Sequence, residues 1–163
     1  MCKEINRFVV AIQGICHAIG TERHLRFHLV ACFYVIFFGF LYGLTRTLWC
    51  ITMLSASSVI GFELINTSVE SLCDFIKPSF HPLIKVTKDI ASGCVLTSAV
   101  FAFVNGLIIF GQKDKFLFVL NFYLSYPNAI ISLGVTIIVS VFFIFFAKGN
   151  KSTPTVIPPS RHS

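Results

Sequence analysis

Four long apolar runs constrain this chain more than any other feature. They are LVACFYVIFFGFLYGL at 29–44, LWCITMLSASSVIGFELI at 48–65, and the stretches 90–110 and 129–147. An α-helix crosses the hydrocarbon of a bilayer in about 17 to 25 residues. The first run reaches that length when Phe27 and Thr45 are included. Inside lipid, backbone N–H and C=O groups must bond within the protein, so such runs are helices or barrel strands. Runs this continuous, without period-two alternation, are helices. Charged residues make up 12% of the chain, against about 25% in soluble domains. The expected fold is therefore all-α: an integral membrane helical protein.

The rest of the chain is read around those spans. Phe8, Ile12, Ile15 and Ile19 recur at helical spacing, with Arg7, Gln13 and His17 among or opposite them. That pattern predicts an N-terminal amphipathic helix over 7–19 lying in the interface. The mixed polar start is unlike a cleavable signal. Arg46 marks the turn between the first two spans. Pro78 and Pro82 end the second span's helix, and GQKDK at 111–115 is a loop. Residues 116–123 read as an interfacial piece, and the Pro-, Ser- and Thr-rich 148–163 as a disordered tail. The resulting division is a three-span domain at 1–112, an additional transmembrane segment at 113–147, and the tail.

A net charge of +6 does not point to nucleic acid, because the basic residues sit beside apolar runs. Lys3, Arg7, Arg23 and Arg26 precede the first span, and Lys77, Lys85 and Lys88 follow the second. Two spans separate the groups, so they share a side, which the positive-inside rule makes cytoplasmic. Six cysteines stand singly with no CxxC pair, which argues against a disulfide framework or a zinc site.

FELINTSVESLCD, residues 62–74, closes the second span with an unusual polar set. At about 100° per residue, Glu63, Asn66, Glu70 and Asp74 fall within an arc of roughly 80° on one helical face. Glu70 and Asp74 alone fit the solvated continuation of a helix. Glu63 is deeper, where a charge costs up to about 3.5 kcal/mol at the bilayer centre and less toward the interface. A partner or a function is needed there.

The same side carries Glu22, Arg26, His28, His81, Lys88 and Asp89. Glu22 and Arg26 also fit a surface ion pair, and Asp89 a helix's first turn. Together they supply carboxylates and a lysine suited to a metal–nucleotide complex. The chain has no GxxxxGK[ST] loop, no HRD or DFG set and no HExxH.

The blocks FELINTSVESLCD, SFHPLIKVTKDIASG and TERHLRFH resemble the small prokaryotic lipid kinases, the diacylglycerol kinase and undecaprenol kinase family. The likeness covers 7–111, and the HPLIK wording is nearer the undecaprenol type. The resemblance implies transfer of the γ-phosphate of ATP, with Mg²⁺, to the hydroxyl of a membrane lipid alcohol, undecaprenol or diacylglycerol. It implies Glu63 as general base and Glu22 and Glu70 as metal ligands. Val10, Glu22, Glu70, Ser79, Phe80, His81, Lys88 and Asp89 would meet the nucleotide. Arg26, Glu63 and Ser92 would face the lipid, with Asn66 and Asp74 completing the polar stripe. It also implies a homotrimer in a bacterial cell membrane with cytoplasm-facing sites. His24 stands where the family often has asparagine, Cys73 where it often has valine, and Ser92 and Cys94 where alanines are common.

The fourth span exceeds the family's three-span pattern. The ending Pro159-Ser160-Arg161-His162 resembles a motif of type-2 phosphatidic acid phosphatases, but the remaining phosphatase residues are missing, so no phosphatase activity is expected. Two other readings stay open at this stage. One is a non-enzymatic oligomeric membrane protein or transporter using Glu63, which has no need of Glu22, Glu70, Lys88 and Asp89. The other is an inactive truncated kinase–phosphatase fusion.

Overall fold

The computed structural model describes residues 2–76 and 81–147. Among these the chain forms six helices: α1 (Cys2–Thr21), α2 (Arg23–Leu41), α3 (Arg46–Ile76), α4 (Pro82–Phe110), α5 (Lys113–Ser125) and α6 (Pro127–Phe146). Four of them, α2, α3, α4 and α6, are long and apolar enough to cross a membrane. The all-α membrane fold expected from the four runs is the fold observed. Ser79 and Phe80 and the tail at 148–163 lie outside the described residues.

The boundaries have local causes. Helix α2 ends in a tight reversal: Gly43 has φ +58, its N–H bonds to Phe40 O at 3.1 Å, and Leu44 N–H bonds to Gly39 O at 3.2 Å. This pairing is a Schellman cap, in which a glycine takes the left-handed conformation and satisfies orphaned carbonyls. The span expected over 29–44 therefore stops at Leu41. At its other end it starts earlier, at Arg23, because the charged segment 23–28 continues the helix.

Helix α1 meets α2 at a single residue. Glu22 is extended, φ −101 and ψ 115, and its side chain makes no capping hydrogen bond. The elbow thus leaves the Glu22 carboxylate for other partners. Helix α1 runs beyond the expected 7–19 and exposes Ile5, Phe8, Val9, Ile12 and Ile15, the apolar stripe an interfacial helix presents to lipid.

Helices α3 and α4 form an antiparallel hairpin, the most extensive pairing in the fold. Lys88 bonds to Asp74 at one end, and Asn105 to Ser55 at 3.0 Å toward the other. With 31 and 29 residues, these helices are about 46 and 44 Å long at 1.5 Å per residue. Both exceed a hydrocarbon core of about 30 Å. The surplus holds the polar residues. Counting about 20 residues from Arg46 reaches the region of Glu63, and counting back from Phe110 reaches Lys88 and Asp89.

The opposite end of the bundle carries the apolar core. Tyr42, Leu44, Ile109 and Val119 are buried together, flanked by Phe38, Leu41, Leu48, Trp49, Phe110 and Tyr123. Tyr42 Oη donates to Phe110 O at 3.0 Å, closing an orphaned carbonyl of α4. Gly39 admits the Trp49 ring, because a Cβ there would stand 2.8 Å from the indole.

Helix α5, expected as an interfacial piece over 116–123, spans 13 residues. At about 20 Å it is too short to cross the hydrocarbon. Pro127 opens α6, which returns antiparallel to α2 and bonds to it through Tyr34 Oη and Ser140 Oγ, 3.2 Å apart. A cavity of about 520 Å³ lies between α2, α3 and α4. It runs from Phe27 and His28 to Ile109 and Phe110, with His28, Thr52, Ser55 and Asn105 as polar points in a mainly apolar wall.

Candidate active site at the charged end

Glu63 is the centre of the charged end. It keeps only 4% of its surface exposed, although it sits on the same helix as the exposed Phe62 and Ile65. Helices α1 and α2 both pack against α3. Glu22, His24 and Glu70 are the charged groups that act on it electrostatically. The stripe and the elbow, more than 35 residues apart in sequence, meet around one carboxylate.

One turn along, Asn66 Nδ2 donates to Glu70 Oε1 at 3.0 Å. This bond ties the Glu70 carboxylate to the preceding turn of α3. The amide oxygen of Asn66 is buried without a hydrogen-bond partner. Orphaned buried acceptors are uncommon and mark a place where a donor is expected.

Further out, Lys88 Nζ pairs with Asp74 Oδ1 at 2.5 Å, the side chains 32% and 70% exposed. The pair staples the connected end of the α3–α4 hairpin. Asp89 is exposed beside it. His81 is the N-cap of α4, its Nδ1 accepting from Leu83 N–H at 3.3 Å. Ser92 Oγ donates back to the carbonyls of Lys88 and Asp89. Val10 is exposed on α1.

Two expected site residues stand in unexpected surroundings. Arg26, expected toward the lipid, is 5% exposed. Its Nη1 bonds to Ile19 O at 2.9 Å and Gly20 O at 3.2 Å, and its Nε to Ile144 O at 3.1 Å. It is engaged by helix ends. His24, noted in the sequence only as a departure, acts on both Glu63 and His28. No local signal marks that role, because it depends on the elbow at Glu22.

Glu22, Glu63 and Glu70 gather three carboxylates with His24 as the other ionisable neighbour of Glu63. Among the described residues no group of three or more His, Cys, Asp or Glu side chains is placed to hold a metal ion by itself. An open pair of carboxylates suits Mg²⁺, which keeps several waters and takes its other ligands from phosphate oxygens. The carboxylates of Glu22 and Glu70 are donors of the kind such a metal takes.

Residues 9–110 match the family model described as prokaryotic diacylglycerol kinase. The chain belongs to that family. It is a membrane lipid kinase. It is 40% identical over 114 residues to the undecaprenol kinase of Bacillus subtilis, covering 68% of this chain and 93% of that protein. A diacylglycerol kinase of Synechocystis is 34% identical over 100 residues, 61% of this chain and 57% of that one. A diacylglycerol kinase of Helicobacter pylori is 41% identical over 59 residues, 36% and 46% of the two chains. No solved structure matches. The kinase match runs from within α1 to the end of α4 and includes every expected site residue. Helices α5 and α6 lie beyond it.

Proposed function

We propose that this kinase transfers the γ-phosphate of ATP to the hydroxyl of a membrane lipid alcohol at the cytoplasmic interface of a bacterial cell membrane. Undecaprenol is the first substrate to test, because the undecaprenol kinase relative matches along nearly its whole length. Diacylglycerol is the alternative. The burial of Glu63 beside Glu22 and Glu70, where α3 leaves the hydrocarbon, is the observation that carries this reading.

In the proposed mechanism the lipid keeps its chains in the bilayer, and the apolar cavity between α2, α3 and α4 offers a wall for them. Only the hydroxyl must reach the depth of Glu63. The Glu63 carboxylate takes the hydroxyl proton while the oxygen attacks the γ-phosphorus and the bond to ADP breaks. Glu22 and Glu70 would hold Mg²⁺, which would supply charge neutralisation of the phosphates when bound. Asn66 fixes Glu70 and offers its free amide oxygen to an incoming donor. Lys88, Asp89, His81 and Val10, with Ser79 and Phe80, contact the nucleotide. Ser92 faces the lipid side, and Asp74 orients Lys88. Phosphoryl transfer depends mainly on such positioning and charge neutralisation. Residues 1–112 form the kinase unit and 113–147 an added transmembrane segment. Three spans are few to enclose a nucleotide, which favours a homotrimer with sites completed between neighbours.

The test uses purified full-length protein with Mg–ATP and each lipid alcohol in turn. Phosphorylation of one alcohol, lost in Glu63→Gln and Glu70→Gln, is the expected result. A folded wild-type protein that phosphorylates none of them contradicts the proposal.

A further inference from the structure

Helix α6 lies outside the family match, yet it touches the kinase unit at a sensitive place. The last four carbonyls of any helix lack intrahelical partners. Neither α1 nor α6 carries a basic residue in its last turn. A single buried guanidinium from α2 serves both: Arg26 bonds to Ile19 O and Gly20 O at the end of α1 and to Ile144 O at the end of α6. A cation between two helix C-termini also answers the negative ends of both dipoles.

Two further contacts seat α6 along α2. Tyr34 Oη and Ser140 Oγ are 3.2 Å apart, and the Arg23 guanidinium lies 5.6 Å from the centre of the Phe145 ring. The three contacts fall at positions 23, 26 and 34 of α2 and bracket the start of that helix. Immediately before it stands the one-residue elbow that carries Glu22, with His24 two residues on.

We infer that α6 is a positioning element for the kinase site: by holding Arg26 at the Ile144 carbonyl near its C-terminus it fixes the α1–α2 elbow, and so sets where the Glu22 carboxylate stands relative to Glu63 and Glu70. Arg26 is accordingly a positioning residue that acts through the backbone of two helices. The metal-linked part of this inference rests on Glu22 being a metal ligand as proposed above. The mechanical part does not.

The test uses the full chain in nanodiscs with Ser140→Trp, which wedges α6 from α2 without altering any proposed site residue, and Arg26→Lys, which keeps the charge but loses the planar fork. The first readout is amide hydrogen exchange over residues 18–26 with no nucleotide or metal present. Exchange at least five-fold faster than wild type in both variants is expected, with α3 and α4 unchanged. The second readout is the Mg²⁺ dependence of lipid phosphorylation. In Ser140→Trp the concentration for half-maximal rate should rise at least five-fold while the rate at saturating Mg²⁺ stays within about two-fold. The double variant should be no worse than the more affected single one, as expected of residues acting through one contact.

Wild-type exchange at the elbow in Ser140→Trp overturns the inference. A wild-type protein that phosphorylates no lipid overturns the proposed function and leaves the exchange result to decide the mechanical part. If Ser140→Trp does not fold, Tyr34→Phe and Phe145→Ala carry the same test. Each removes one seat of α6 and should speed elbow exchange at least two-fold, and no change in either overturns the inference.

Discussion

The two ends of this helical bundle are built on opposite principles. At one end Tyr42, Leu44, Ile109 and Val119 bury apolar surface against Trp49 and Phe110, and a Schellman turn fixes the chain reversal. At the other, Glu63 is buried among charged groups, Asn66 keeps an unpaired oxygen, and Arg26 spends its donors on helix ends. The same helices run through both. The first end holds α2, α3 and α4 in register, which frees the second from having to be a good core. A buried carboxylate is poor stabilising material, and its presence where α3 leaves the membrane makes sense as a requirement of the reaction.

That contrast can be broken from either side. Glu63→Gln keeps the shape and removes the proposed base. The rate should fall about 10²- to 10⁴-fold, and equal turnover in a lipid phosphorylation assay sinks the contrast. Ile109→Ala, at the packed end, should lower unfolding free energy by about 2 to 5 kcal/mol and leave the KM for nucleotide unchanged. Denaturation with and without nucleotide checks both. Tyr42→Phe removes one hydrogen bond, from Oη to Phe110 O. A loss of about 1 kcal/mol with no change in activity is expected. The smallest effect belongs to Asp74→Asn. Its pair with Lys88 is largely exposed, so only a change of about two- to three-fold in nucleotide KM is expected, fading at high salt.

Much of this was legible in the sequence where the information is local. Apolar runs of span length gave away the transmembrane helices. The spacing of Glu63, Asn66, Glu70 and Asp74 put them on one face because an α-helix has one period. Helix ends were less legible. The span was read from Leu29, yet the charged residues Arg23 to His28 continue its helix, and Arg23 and Arg26 find partners on α6 more than a hundred residues away. The place of His24 was invisible for the same kind of reason: it depends on one extended residue, Glu22, turning α1 back over α3. His81 was read for the nucleotide alone, yet its ring also caps α4, a role that Pro82 at N1 makes natural.

The most direct test measures turnover and stability on the same Glu63→Gln sample. The protein is purified in full length, unfolded to obtain its free energy, and assayed with radiolabelled ATP, Mg²⁺ and undecaprenol or diacylglycerol. The account predicts transfer to the lipid at least about a hundred-fold below wild type, with unfolding free energy equal to or above it. Transfer at the wild-type rate, or a loss of activity matched by loss of the fold, contradicts the claim that Glu63 is held at the membrane boundary for chemistry.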